Sequence, residues 1–366
     1  MSDIIAIRSL QCKDHAYNIP PKVLTVNWSL TKRCNYDCGY CSSFVHDAIS
    51  PFVKVDYVRT LIENCKQWCG TDRKIKWTIT GGEPFIDPNI IFVFELLHNQ
   101  PYTEQVNTIS NGSLPLEKYL EAAKFVAGIT FSLHFERSAA EITKTIDKII
   151  AVNQKTDIMI SVNIMFVPGL LNRVQTAIAK LKTHNIAYIV RLITPLDTEA
   201  NKIKSYVNNG TGRKTIILKS TQEQTQLRQQ FKSKNDMHAL SNIQSYYSDD
   251  ELLLIEQLNN KISWQNAGIW VDNGDYQEIN TDLLVSSGKN NFKNWICYAG
   301  VDGIYIDWDG TIYRGACLND GPIGHINKDN FITTTATKCN LNLCGCNVDI
   351  PIRKASNPKY LKLITS

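Results

Sequence analysis

No uncharged apolar run in this 366-residue chain approaches the ~18 residues that span a bilayer. Nor does the sequence open on a charged-then-apolar leader: Met1-Ser2-Asp3-Ile4-Ile5 is too mixed for a signal peptide. These two absences argue against a membrane-spanning or secreted protein, and the chain reads as cytoplasmic. Net charge is also scarce, at +4 over the whole length. A nucleic-acid binder carries a denser basic face. The balance suits an anionic or zwitterionic partner without demanding one. No internal repeat is visible. Apolar residues make up 43% and charged residues 20%, an ordinary globular composition. The length implies one large domain with an appendage, or two domains.

Cysteine, by contrast, is plentiful. There are eleven, unevenly spread, with three between Cys34 and Cys41 and three more between Cys339 and Cys346. In a reducing compartment, clustered thiols mean metal or redox chemistry more often than disulfides.

The first half alternates strand-like and helix-like segments. Strands are expected at 23–28, 75–80, 106–110, 129–133, 158–167 and 187–193, and helices at 55–68, 90–97, 116–126, 139–152 and 170–181. Such alternation implies a parallel sheet, open or curled toward a barrel but short of eight units. The chemistry of such folds sits at the carboxyl ends of the strands. After about residue 200 the pattern breaks. Asn208-Asn209-Gly210 marks a turn, Thr221 to Lys234 reads as a solvated helix, and Ser248 to Glu251 forms a capping box ahead of an apolar run. Gly303–Ile306 and Thr311–Tyr313 flank Asp307-Trp308-Asp309-Gly310, a hairpin signal.

Cys34-Asn-Tyr-Asp-Cys38-Gly-Tyr-Cys41 directly follows the first of the six strands. Thiolates are soft ligands, suited to iron–sulfur clusters and to zinc. Three thiols on one loop can bind three irons of a cubane and leave the fourth open. Gly39 lets the backbone approach closely, and Tyr40 supplies an apolar wall. A zinc site stays open as an alternative, with His46 the nearest fourth ligand, as do inert buried thiols.

The C-x3-C-x2-C spacing, with an aromatic before its last cysteine, resembles the signature of the radical S-adenosylmethionine superfamily. Thr80-Gly81-Gly82-Glu83-Pro84, closing the second of the six strands, resembles that family's GGE motif. The resemblance covers about residues 24–193. It implies a partial (β/α)6 TIM-like barrel in which Cys34, Cys38 and Cys41 hold a 4Fe-4S cluster. S-adenosylmethionine would chelate the unique iron and be cleaved to a 5′-deoxyadenosyl radical. Contacts to it are expected from Tyr40, Gly81, Gly82, Glu83, Ser110, Asn111, Ser132, His134, Asn163 and Arg191. A flavodoxin or ferredoxin would supply the electron.

Five cysteines lie in the last quarter: Cys297, Cys317, Cys339, Cys344 and Cys346. A hairpin joins the first two, so their thiols can meet around one metal, and the others can close the site. The layout resembles the twitch or SPASM extension of the same superfamily, which implies a second, auxiliary 4Fe-4S cluster. Five thiols for four positions leave one spare. Zinc is the alternative. The domain plan is therefore a barrel core over 20–200, a connecting region over 201–290 that shapes the substrate pocket, and a small α+β cluster domain over 291–366. A loop carrying Arg213 and Lys214 offers charge for an anionic substrate group. The expected activity is hydrogen-atom abstraction from a peptide or small molecule. Modification of a nucleotide or nucleic-acid base is the alternative, and a non-catalytic iron–sulfur or zinc sensor is the rival of another class. Cys65 and Cys69, one helical turn apart, are read as a core thiol and a helix-end thiol, and Cys12 is unassigned.

Overall fold

The computed structural model describes residues 3–9, 22–36, 38, 40–41, 46–193, 205–208, 214–217, 247–259, 266–328, 335–346 and 348–365. The helix expected from Thr221 to Lys234, the turn at Asn209-Gly210, the Arg213 loop, Gly39 and Cys12 lie outside these residues.

After β1 (Ile4–Ser9), six strands alternate with five helices: β2 (Val23–Thr31), α1 (Val55–Cys69), β3 (Lys74–Gly81), α2 (Ile90–His98), β4 (Thr103–Ser110), α3 (Leu116–Ala122), β5 (Gly128–His134), α4 (Ala139–Lys155), β6 (Met159–Phe166), α5 (Leu171–Thr183) and β7 (Ala187–Leu192). Strands β2 to β7 are neighbours in chain order and all parallel. This is the expected partial (β/α)6 arrangement. Helix α3 is shorter than the expected 116–126, because the chain after it tightens into i→i−3 bonds, Lys124 N–H to Glu121 O and Phe125 N–H to Ala122 O.

The helices form where apolar residues recur every three or four positions. In α1, Val58, Leu61, Ile62, Cys65, Trp68 and Cys69 make one buried stripe, so both of its cysteines belong to the core. That stripe meets an equally apolar sheet face built from Leu24, Val26, Trp28, Leu30, Ile75, Trp77 and Ile79. Each such side chain stabilises the fold by about 1.5–3 kcal/mol relative to its exposed state. The other sheet face is different. Along β5, Ile129, Phe131 and Leu133 are buried while Thr130, Ser132 and His134 are half-buried and point the opposite way. Parallel strands usually carry apolar side chains on both faces. Here one face keeps polar groups, which leaves a surface able to contact a polar ligand.

The remaining elements are β8 (Ser205–Asn208) and β9 (Lys214–Ile217), an antiparallel ribbon, then α6 (Asp249–Asn259), β10 (Asn266–Val271), β11 (Tyr276–Asn280), α7 (Thr281–Ser286), β12 (Ile296–Cys297), β13 (Gly303–Ile306), β14 (Thr311–Tyr313), β15 (Pro322–His325), β16 (Thr337–Lys338), β17 (Lys354–Ala355) and α8 (Leu361–Thr365). The capping box ahead of α6 is formed: Glu251 N–H donates to Ser248 Oγ (3.2 Å) and Ser248 N–H donates to Glu251 Oε2 (3.0 Å). At its far end, Asn259 pairs with both backbone groups of Val190 and seals the edge strand β7.

Two pairings extend beyond the local pattern. The hairpin β13–β14 forms as expected, but β13 also lies parallel to β2, so the sheet grows to nine strands in the order β15-β14-β13-β2-β3-β4-β5-β6-β7. Gly303 makes this possible, since a Cβ there would lie 2.1 Å from Thr25 Oγ1 and 2.4 Å from the Thr25 carbonyl oxygen. Strand β1 joins a second, six-stranded sheet ordered β11-β10-β1-β17-β12-β16. Among the described residues no helix is long and apolar enough to cross a membrane.

Candidate functional site

The loop carrying the first three cysteines leaves β2 at its carboxyl end and closes on itself. Asp47 N–H donates to the Lys32 carbonyl (2.7 Å), and Cys34 N–H donates to the Asp47 carbonyl (2.8 Å). The Asp47 carboxylate accepts from Ile49 and Ser50 N–H and from the Ser50 hydroxyl, and it pairs with the buried Lys32 ammonium at 3.7 Å. Lys32 also lies 4.8 Å from the Trp308 ring centroid, so the hairpin turn rests on the base of this loop.

Cys34, Cys38 and Cys41 line one cavity of about 140 Å³ with Tyr36 and His46. Strand ends complete its wall: Thr80, Gly81 and Gly82 after β3, Ser110 and Asn111 after β4, and Ser132 and His134 from β5. The sulfurs sit among hydrogen-bonding groups. Tyr36 N–H points at Cys34 Sγ (3.4 Å), Asn111 Nδ2 stands 3.9 Å from the same sulfur, and His134 Nδ1 is 3.3 Å from Cys38 Sγ. Burial pushes the Cys34 thiol up to about 12 against the pull of the Tyr36 amide, so only a bound cation makes its thiolate easy to hold. The Tyr40 hydroxyl shares a hydrogen bond with His134 Nδ1, and the two rings stack at 10° between planes. Tyr40 thus orients a residue of the wall.

The glycine pair is required by its neighbours. Gly81 has φ of +140°, and a Cβ there would lie 2.3 Å from the Thr31 carbonyl oxygen. A Cβ on Gly82 would lie 2.3 Å from the Arg33 carbonyl oxygen and 2.5 Å from that of Lys32. Bare backbone lets Gly82 N–H donate to Thr31 O (2.6 Å) and Glu83 N–H donate to Arg33 O (2.9 Å). The turn after β3 is thereby clamped to the root of the cysteine loop. Glu83 lies beneath the cavity, fully buried. Its carboxylate accepts from Phe85 N–H (3.1 Å), Ser110 Oγ (2.8 Å) and Asn111 N–H (2.6 Å), tying β3 to β4. Burial raises its carboxyl to about 7 although these donors pull the other way.

Asn163 and Arg191 lie on β6 and β7 with Arg191 Nε 3.4 Å from Asn163 Oδ1, and neither lines this cavity. A side crevice shares Tyr36, Asn111, Ser132 and His134 with the cavity and adds Arg137 and Glu141. There Arg137 lies 4.4 Å from the Tyr36 ring centroid and pairs with Glu141 at 2.6 Å. Tyr36, Thr80 and Arg137 carry no spacing signal. Tyr36 lay within the motif quoted above, but only the folded loop turns it inward.

The later cysteines also converge. Cys297, Cys317, Cys339 and Cys344 line a second, apolar cavity with Asp349 and Lys354, and Cys346 does not line it. The four thiols come from separate segments: β12, the turn after β14, the residue after β16, and the loop before β17. Three of the four are fixed through their backbone N–H groups. Cys339 N–H donates to Trp295 O (2.9 Å), Cys344 N–H to Asn290 O (2.9 Å), and Cys317 N–H to Asp349 Oδ2 (2.7 Å). Burial raises the thiols of Cys297, Cys339 and Cys344. Lys354 is buried in their midst; burial works against its charge, but the surrounding thiols and Asp349 outweigh it and hold its pKa above the usual value. Among the described residues, no three Cys, His, Asp or Glu side chains converge as the ligands of one metal ion do. A four-iron cube spaces its thiolates more widely, since each binds a different iron. Three thiols beside an open position suit such a cube at the first site, while the four thiols of the second suit either a cube or zinc.

Residues 28–199 match the family model described as the Radical SAM superfamily. Among curated proteins, a stretch of 97 residues is 30% identical to the S-adenosylmethionine-dependent nucleotide dehydratase of Fibrobacter sp. (strain UWH6), covering 25% of this chain and 28% of that one. A stretch of 98 residues is 30% identical to the GTP 3',8-cyclase of Clostridium perfringens, covering 26% and 29%. The chain thus spans under a third of the length of the curated relatives it matches. A solved structure of native anSMEcpe with bound AdoMet superposes with a TM-score of 0.46 at 12% identity, covering 83% of this chain and 78% of that one. The domain is of the kind that uses a 4Fe-4S cluster and S-adenosylmethionine. Residues 28–199 therefore form a radical S-adenosylmethionine superfamily domain.

Proposed function

We propose that this protein abstracts a hydrogen atom from its substrate by radical S-adenosylmethionine chemistry, assisted by a second, auxiliary iron–sulfur centre. The observation that carries the reading is the meeting of Cys34, Cys38 and Cys41 with three strand ends on one cavity. These cysteines would hold three irons of a 4Fe-4S cluster and leave the fourth for S-adenosylmethionine. When bound, this pair of cofactors supplies a 5′-deoxyadenosyl radical by one-electron reductive cleavage of the sulfonium.

The chain's own residues bind, orient and shield. Thr80, Gly81 and Gly82 would receive the methionine end of the cofactor. Ser110, Asn111, Ser132 and His134 would offer it hydroxyl, amide and imidazole contacts, with Asn163 and Arg191 extending the polar face. Glu83 would act from below, holding β3 and β4 in register, and Tyr40 through His134. Donors aimed at Cys34 Sγ would stabilise a ligated sulfur. In the second site, Cys297, Cys317, Cys339 and Cys344 would hold the auxiliary cluster, with Cys346 outside it. A flavodoxin or ferredoxin would deliver the electron. The barrel core, connecting region and cluster domain would divide the chain near residues 200 and 290.

For the substrate, the names of the relatives support a nucleotide over a peptide or another small molecule. Anaerobic reconstitution with dithionite and S-adenosylmethionine should yield 5′-deoxyadenosine. Its absence from a protein with intact clusters would favour a sensor or scaffold. The Cys34→Ala/Cys38→Ala/Cys41→Ala chain should make none while keeping roughly half the iron. Deuterated nucleoside triphosphates should pass label into 5′-deoxyadenosine, and label arriving only from peptides would overturn the nucleotide reading.

A further inference from the structure

Lys354 is 2% exposed and lines the apolar cavity that Cys297, Cys317, Cys339 and Cys344 share. An ammonium has three N–H donors. Here the bonds go to three backbone carbonyls, those of Asp349, Ile350 (3.0 Å) and Ile352 (3.1 Å). Carbonyls solvate the cation without cancelling its charge. A buried cation is expensive unless an anion faces it. The Asp349 carboxylate also favours the charge, but it makes no ion pair with Lys354 among the described residues and accepts instead from Ala316 N–H (3.2 Å) and Cys317 N–H (2.7 Å). The Phe292 ring lies 5.4 Å from the ammonium, and Lys354 shares its cavity with four thiols, which become anionic when they ligate metal.

We infer that Lys354 is the built-in counter-charge of the four-thiolate centre, holding a full positive charge against an anionic iron–sulfur cluster and easing its reduction. The inference rests on the auxiliary-cluster reading. A four-thiolate 4Fe-4S centre carries net negative charge and gains one more on reduction. A fixed cation in an apolar wall favours the more negative state, because little solvent screens the attraction. Charge and burial around a cluster are among the features that set its potential. The carbonyl brace also orders residues 349–352, which bring Asp349 to the backbone of Cys317, so Lys354 positions one ligand as well.

The test uses the full chain with Cys34, Cys38 and Cys41 changed to Ala, so that iron reports only the second site. Iron and acid-labile sulfide are measured, and the midpoint potential is followed by EPR during titration with dithionite. A parent chain without iron would sink the auxiliary-cluster reading itself, whatever Lys354 does. With iron present, Lys354→Gln and Lys354→Arg separate charge from brace, because both can donate to the carbonyls and only Arg keeps the charge. The expected result is that Arg retains the parent's iron and potential. Gln should lose the cluster or shift its reduction constant at least tenfold toward the oxidised form, which is 59 mV for one electron. Equal behaviour of Gln and Arg, either both at the parent's potential or both without iron, would overturn the proposal.

Discussion

The two thiol sites are built on opposite plans. The first gathers three cysteines from one short loop at the mouth of a parallel sheet, and its other walls mix hydroxyls, an amide and two imidazoles with Tyr36, Ile109 and the glycine pair. The second draws four cysteines from segments scattered between β12 and β17, walls them with apolar side chains, and adds a buried cation. The contrast is one of valence and solvent. A loop with three soft donors and polar surroundings leaves room for an exchangeable ligand. Four donors in an apolar shell suit a closed centre that exchanges electrons rather than ligands.

The sharpest way to break this comparison is at the second site's fourth thiol. Cys344→Ala should remove roughly half of the iron of the reconstituted protein, whereas Cys346→Ala should leave it unchanged. Equal iron loss in both would mean that the site is not the four-thiol cavity described. The next largest effect should come from Gly82→Ala. Its Cβ would press on two backbone carbonyls that cannot retreat without moving the cysteine loop. A loss of about 1–3 kcal/mol is expected, read from urea unfolding. Gly70→Ala, where a Cβ meets nothing within 4 Å, serves as a control with backbone strain alone.

Glu83 sharpens the comparison through pH. Its folded-state pKa is raised by burial to about 7 from the ordinary 4.5. Its contribution to stability is therefore fully present below about pH 4.5 and is lost as pH rises through about 7. The swing is at most about 3 kcal/mol. Melting temperatures measured from pH 5 to 8 should fall, and Glu83→Gln should flatten that slope while lowering stability overall, since the amide N–H₂ would face backbone donors. The smallest effect is expected at the contact between the hairpin and the first loop. Trp308→Ala should cost about 0.5–2 kcal/mol through loss of the ring over Lys32, while iron at the second site stays constant.

Much of the barrel was legible because its signals are local. The β-branched runs, the one-sided stripe of α1 and the Gly303–Tyr313 hairpin fall where alternation and turn residues put them. The cysteine triplet was legible for the same reason, since all its ligands sit within eight consecutive residues. What escaped depends on partners distant in sequence. Nothing near Lys32 announces that Asp47 and Trp308 will hold it. Glu83 sits in a motif that pointed toward the cofactor, yet besides the local Phe85 N–H its donors are Ser110 and Asn111 at the end of β4, and they draw it under the floor. The choice of four thiols among five follows from where the chain leads between Cys344 and β17, which spacing does not encode. Lys354 carried no signal, as a lysine in a short polar run reads as solvent-exposed.

The pairing of β1 with both β10 and β17 sets an order of assembly. Residues 4–9 emerge early in synthesis and must wait for residues 354–355 before their sheet is complete, whereas β2 to β7 can pair with neighbours as each appears. Contacts between such distant stretches close slowly, because a long loop must first be brought together. The barrel can therefore mature while the second sheet is still open, and β17 is the strand that carries Lys354. The three-thiol loop can therefore form before the four-thiol cavity, whose Lys354 arrives only with β17.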